Sequence, residues 1–196
     1  MQRRVNRILL DYSLNAMKRN GIDLAIVAAT VILLAALGFV IVNSMQEHVV
    51  VAGGTAPNFT IKTESGAEIS TRNFGGKLLV LNFWASWCGP CVQEMPSLNE
   101  FQKMFAPEGV VVLGINVDRK EDLYRNMTKR FHVIFQTAWD PQENVSYRFG
   151  TFKFPESYII DRNGKVLQKY PGLPDVNGEW RPWTDPEIVR YVRSLL

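Results

Sequence analysis

Residues 78–91 read LLVLNFWASWCGPC, from Leu78 to Cys91, and this stretch decides the fold. Its first seven residues form a nearly continuous apolar run, the pattern of a strand buried on both faces. Its last four place Cys88 and Cys91 two residues apart, where helical periodicity begins. Downstream, Val92, Met95, Leu98, Phe101 and Phe105 recur at mostly three- and four-residue spacing, giving a helix with one apolar face. Residues 110–117 (VVVLGINV) are a second buried-strand run. Strand, helix, strand in this order implies parallel strands and a right-handed crossover.

Working outward, residues 59–63 and 67–70 alternate around a Ser65-Gly66 turn, a hairpin signal. Residues 121–131 and 142–149 read as helices, and residues 157–160 and 166–170 as strands joined by the turn Asp161-Arg162-Asn163-Gly164. A last helix is expected from Thr184, where Thr184 and Glu187 have capping-box spacing. Ile188, Val189, Tyr191, Val192, Leu195 and Leu196 would form its buried stripe. The order predicts a mixed α/β sandwich, a central sheet flanked by helices with a hairpin at its N-terminal end.

The formal charge of +3 is local rather than general. Arg3, Arg4, Arg7, Lys18 and Arg19 stand against Asp11 and Asp23 in residues 1–23, leaving 17 basic and 17 acidic residues in the rest of the chain. The run Arg119, Lys120, Arg125, Lys129 and Arg130 is interleaved with Asp118, Glu121 and Asp122, so a nucleic-acid footprint is excluded. Two cysteines cannot form a disulfide scaffold, and His48 and His132 leave little for a multi-histidine metal site.

Residues 24–42 (LAIVAATVILLAALGFVIV) run nineteen residues without a charge. As a helix that is about 28 Å, against a hydrocarbon core near 30 Å. The five basic residues before it, and Glu47 alone among the eighteen residues after it, predict a cytoplasmic tail at 1–23. The expected organisation is tail 1–23, transmembrane anchor 24–42, linker 43–57 with Gly53-Gly54 and Pro57, and an extracytoplasmic domain at 58–196, on the periplasmic side. A cleaved signal peptide is the alternative, although the apolar run is longer than a usual signal core and the nearest weak cleavage site, Val50-Val51-Ala52, lies well downstream.

At a helix start, unpaired backbone N–H groups and the helix dipole favour an anion, so the thiolate of Cys88 is stabilised. Cys91, one turn along, can reach Cys88 and resolve a mixed disulfide. Gly89 keeps bulk away from the nucleophile, and Pro90 fits the first helical turn. A zinc half-site would lack its remaining ligands, and a purely structural disulfide would close too short a loop to gain much entropy. A cysteine-histidine hydrolase would have only His132 in the domain to draw on.

FWASWCGPC at 83–91 resembles the active-site segment of the thioredoxin superfamily. With the N-terminal anchor, the chain resembles the TlpA/ResA/CcmG branch of membrane-anchored thiol-disulfide oxidoreductases over roughly residues 55–196. Gln93-Glu94-Met95-Pro96, residues 150–155 (GTFKFP), residues 157–161 (SYIID) and Asn163-Gly164 extend the match. The resemblance implies a thioredoxin-like fold with Cys88 attacking and Cys91 resolving. It implies that Glu94 takes the proton of Cys91, the alternative being a solvated glutamate that merely favours the helix dipole. Pro155 matches the cis-proline that faces the disulfide in this fold, and Trp87, Gly89, Pro90, Phe154 and Pro155 match the substrate-binding surface. Asn82 departs from the pattern, because cytoplasmic thioredoxins usually carry a buried aspartate there. Trp84 is expected in the core, Pro96 is expected to kink its helix, and His132 is expected to be structural. Trp180, Arg181, Pro182 and Trp183 read as a packed connection, with partner docking as the alternative.

The implied activity is reduction of protein disulfides outside the cytoplasm, with no cofactor beyond the Cys88–Cys91 couple and no metal. Haem-attachment cysteines of apocytochrome c are the leading substrate. A membrane-spanning thiol donor is also implied, because the anchor carries no cysteine to pass electrons across. The alternatives are a disulfide oxidase or isomerase of the same fold, and a copper-binding assembly factor for a respiratory oxidase with His132 as its further ligand.

Overall fold

The computed structural model of the chain describes residues 24, 26–41, 49–172 and 181–196. The chain divides into two units, Met1–Glu47 and His48–Leu196. In the first, residues 26–41 form helix α1, whose apolar side chains, Ile32, Leu33 and Phe39 among them, are exposed. Among the described residues no helix is long and apolar enough to cross a membrane. Ala25 and Val42 of the expected span, the tail before it and residues 43–48 lie outside the described residues.

The second unit runs β1 (Thr60–Lys62), β2 (Glu68–Ser70), β3 (Leu78–Trp84), α2 (Gly89–Phe105), β4 (Val110–Asn116), α3 (Glu121–Arg130), β5 (Gln136–Trp139), α4 (Asn144–Phe149), β6 (Glu156–Asp161), β7 (Val166–Tyr170) and α5 (Pro186–Ser194). Strands β1 and β2 pair as a hairpin with Ile61 opposite Ile69. The other five form one sheet in the order β5-β4-β3-β6-β7. β3 runs parallel to β4 and β4 to β5, while β6 is antiparallel to both β3 and β7. This is the thioredoxin-like architecture.

The central strand explains itself by its two-residue period. Leu78, Val80 and Trp84 face one apolar cluster with Leu98, Phe101 and Phe105 of α2 and Ile188 and Val192 of α5. Leu79, Leu81 and Phe83 face the other, with Ile69 of the hairpin, Val145 and Phe149 of α4, and Tyr158 of β6. Because both faces are covered, every β3 position is buried. Each aliphatic side chain removed from water in this way contributes roughly 1.5–3 kcal/mol. The same period puts Asn82, between Val80 and Trp84, on the face covered by α2.

Beyond shifts of one or two residues at element ends, the structure departs from expectation in three places for local reasons. β5 is an added parallel edge strand, too short and too polar at Gln136 and Thr137 to stand out as an apolar run. Helix α5 begins at Pro186, and its cap is Asp185 rather than Thr184, the Asp185 carboxylate accepting from the Glu187 N–H at 2.8 Å. Ile188 and Val192 are buried, whereas the other four residues of the expected stripe are half-buried. Ahead of the hairpin, Val50 is buried, and the N–H groups of Gly53 and Ala56 donate to the carbonyls of Val166 and Gly164 at 2.7 and 2.8 Å. Residues 50–56 thereby cover the sheet beside β7.

Candidate active site

Cys88 and Cys91 lie where β3 gives way to α2 and are joined as a disulfide, with their Cα atoms 5.2 Å apart. Cys88 is the N-cap of α2, and its Sγ accepts from the backbone N–H of Cys91 at 3.2 Å. The helix N-terminus therefore presents a donor directly to this sulfur, which favours its thiolate when the bond is reduced. Access differs between the two. Cys88 is 5% exposed and Cys91 0%. Gly89 and Pro90 are exposed over the site, and the space beyond the Gly89 Cα is open.

One turn past Cys91, Glu94 is 3% exposed rather than solvated, which removes the surface-glutamate alternative. Its Oε1 accepts from the Asn82 amide at 2.7 Å, and its Oε2 accepts from the Trp183 indole N–H at 3.2 Å. Asn82 Nδ2 also donates to Ser157 Oγ at 2.9 Å. Burial pushes the Glu94 carboxyl up from 4.5 to about 7, against the two hydrogen bonds, which favour its charged form. A carboxyl that exchanges protons near neutrality thus sits on the same helix as the inner cysteine.

The loop carrying the disulfide is tied down from β4. Asp118, 1% exposed, accepts from the Ser86 N–H and from Ser86 Oγ, both at 2.9 Å. Its carboxylate also accepts from Asn116 Nδ2 at 2.8 Å, and its carbonyl accepts from the Trp139 indole at 2.6 Å. Ser86 is two residues before Cys88, so Asp118 fixes the approach to the nucleophile.

The Phe154–Pro155 peptide is cis, as the resemblance implied. Pro155 is buried and Phe154 half-buried. Trp87 is 68% exposed, and its ring meets Phe154 edge-on with centroids 5.8 Å apart. Beside Trp87 an open cleft runs past Leu123, Arg119 and Lys120. Behind Pro155, Glu156 accepts from Tyr158 at 2.6 Å and from Thr151, and pairs with Lys169 at 2.9 Å. This network anchors the segment that carries Phe154 and Pro155.

The expected residues Cys88, Cys91 and Glu94 converge on one end of α2, and Trp87 with Phe154 forms one surface. Trp84 is fully buried in the core, and His132 is exposed at the end of α3 with φ 46°. Of the expected connection, Trp183 is buried and also enters the site by bonding Glu94, Arg181 is exposed, and Trp180 lies outside the described residues. Asp118 and Glu156 were missed. Their only sequence signal is position, at the carboxyl end of a buried parallel strand and next to a candidate cis-proline. Among the described residues no group of three or more His, Cys, Asp or Glu side chains is placed to hold a metal ion.

Residues 52–169 match the AhpC/TSA family. A thiol-disulfide oxidoreductase ResA of Bacillus thuringiensis subsp. konkukian is 33% identical over 158 residues, covering 80% of this chain and 91% of that one. The protein of the same name from Geobacillus thermodenitrificans is 38% identical over 143 residues, 72% and 82% of the two chains. Among solved structures, one from Chlorobium tepidum named as a thiol:disulfide interchange protein DsbE superposes with a TM-score of 0.64 at 28% identity, covering 75% of this chain and 98% of that one. StoA from Bacillus subtilis, at 23% identity and a TM-score of 0.54 over 60% of this chain and 90% of its own, supports the fold.

Proposed function

The chain belongs to the AhpC/TSA family and is a thiol-disulfide oxidoreductase, and on that footing we propose that it reduces protein disulfides on the outer side of the cytoplasmic membrane. The observation that carries the mechanism is the difference in access between the cysteines, Cys88 keeping 5% of its surface exposed and Cys91 none. Cys88 thiolate attacks one sulfur of a substrate disulfide. A Cys88–substrate disulfide forms, the substrate S–S bond breaks, and the released substrate thiolate takes a proton from water. Cys91 then passes its thiol proton to the Glu94 carboxylate and attacks Cys88 Sγ. The Cys88–Cys91 bond forms and the second substrate thiolate leaves. The substrate has gained two electrons, and the couple has lost them.

The site needs no cofactor beyond this couple. Trp87, Gly89, Pro90, Phe154 and Pro155 form the surface on which an extended substrate lies, with haem-attachment cysteines of apocytochrome c as the leading candidate. Anchoring through residues 24–42 is supported by their uncharged sequence and by the basic residues before them. In an oxidising compartment the couple must be recharged by a thiol donor that spans the membrane.

The test is the reduction potential of the couple in the full chain, read by tryptophan fluorescence in a thiol redox buffer. A value near or below the roughly −270 mV of thioredoxin is expected. A value towards the roughly −120 mV of a strong oxidant would reverse the proposed direction.

A further inference from the structure

We propose that Trp183 is a positioning residue for the proton transfer. Its indole N–H reserves Oε2 of Glu94 as a hydrogen-bond acceptor, so the exchangeable proton is carried on Oε1, opposite the carboxamide of Asn82. This deepens the reading of Glu94 as proton acceptor for Cys91 and rests on it.

An indole N–H can only donate, so the oxygen it meets must accept whether Glu94 is charged or neutral. Trp183 cannot swing away. It is 4% exposed, its backbone N–H donates to Ser97 Oγ at 3.1 Å, and its ring packs edge-on against Phe101 and Tyr170 with centroids 5.3 and 5.5 Å apart. Oε1 faces a different kind of partner. A carboxamide offers a donor and an acceptor, and in this structure Asn82 Nδ2 donates to Oε1 while Asn82 Oδ1 is buried without a partner.

Turning the amide over would bring Oδ1 to a proton on Oε1. Ser157 Oγ, which accepts from Nδ2 now, would then donate its own O–H to Oδ1. In either orientation one amide atom is left unpaired, so neither protonation state is favoured on that account. Asn82 and Ser157 can serve both states of Glu94, and Trp183 fixes which oxygen changes.

The groups that meet the carboxyl are Asn82 of β3, with Ser157 of β6 behind it, and Trp183 ahead of α5, and Cys91 lies one turn earlier on α2. Its shift is set by burial, Asn82 and Trp183, with no charged side chain contributing.

The test uses the oxidised full chain in detergent micelles, with glutamate side-chain carboxyls labelled with carbon-13 and tryptophan indoles with nitrogen-15. In the wild type, the Trp183 indole resonance should move with pH at the Glu94 midpoint, near 7. Trp183→Phe keeps a smaller aromatic ring against Phe101 and Tyr170 but removes the donor to the charged form. The Glu94 midpoint should then rise by about one unit, lowering the ionised fraction at pH 7 about fivefold. The acid limb of the disulfide-exchange rate should move by the same amount. An unmoved midpoint in folded Trp183→Phe would overturn the proposal, as would a wild-type indole resonance that ignores the Glu94 titration. The second measurement needs no variant to fold. Glu94→Gln separates the two ideas. If it keeps the wild-type pH profile, the role of Glu94 fails; if it loses the acid limb while Trp183→Phe leaves the midpoint in place, only the role of Trp183 fails.

Discussion

Replacing Glu94 by Gln should make the oxidised protein more stable at neutral pH. The carboxyl is raised from 4.5 to about 7 chiefly by burial, so the folded state holds its proton more tightly than the unfolded chain does. At 1.36 kcal/mol per unit this is worth about 3 kcal/mol. For an acid raised on folding, the contribution is fully present below the unfolded value and is lost as pH rises through the folded one. Wild-type stability should therefore fall between about pH 4.5 and about pH 7, and remain lowered above that. Glutamine keeps the shape and stays neutral throughout. Its amide meets two donors, Asn82 and the Trp183 indole, and its oxygen can satisfy only one of them without rearrangement, which offsets part of the gain. That offset does not depend on the titration of residue 94, so the slope of the difference is the clean reading.

Urea unfolding of the oxidised full chain, followed by tryptophan fluorescence at closely spaced pH values, measures this difference. All other titrating groups are shared and cancel to first order. The stability of Glu94→Gln relative to wild type should climb by about 3 kcal/mol from pH 4.5 to pH 8. Two curves that stay parallel across the window would show that burial does not raise the carboxyl in the folded protein, and the proton route through Glu94 would lose its basis.

Two further outcomes follow from the site. Cys91→Ala should hold substrate as a disulfide on Cys88, visible as a reductant-sensitive band on non-reducing gels, whereas Cys88→Ala should hold none; adducts forming equally on either variant would refute the assignment of attacking and resolving sulfurs. Asp118→Ala removes the acceptor for Ser86 N–H, Ser86 Oγ and Asn116 Nδ2. Leaving these groups short of partners should cost about 3 kcal/mol, lowering the melting temperature by roughly 6–12 °C in circular dichroism, and a melt within 2 °C of wild type would deny Asp118 its anchoring role.

What the sequence made legible followed from periodicity and local chemistry. The β3 run and the α2 stripe are strong because both faces of one and the buried face of the other are apolar without interruption. The two cysteines declared themselves by lying at the junction of the two. β5 stayed hidden because an edge strand of four residues with a polar start carries too few positions to show a period. The cap of α5 was misplaced by one residue because Thr184 and Asp185 are both good cap types, and only the backbone geometry chooses between them. Contacts across long sequence separations were the least legible. Trp183 reaches Glu94 from 89 residues away, and Ser86 meets Asp118 across 32. A packed tryptophan reads the same in sequence whether its N–H is bonded to a backbone carbonyl or to a proton-exchanging carboxyl.

The asparagine at position 82 becomes intelligible from this geometry. Its β3 register places it opposite Ser157 and on the face towards α2, within 2.7 Å of Glu94. An aspartate here would set two carboxylates against each other in a buried space, where like charges at hydrogen-bond distance cannot both ionise. With the acid on the helix instead, its place relative to Cys91 is fixed by one turn of α2, whatever small movements occur between helix and sheet. The strand then needs a side chain that satisfies the acid in either protonation state. A carboxamide is neutral, donates and accepts, and can do both by turning about a single bond. Asparagine on the strand and glutamate on the helix are therefore one arrangement, and Trp183 completes it by allowing the acid to change at only one of its oxygens.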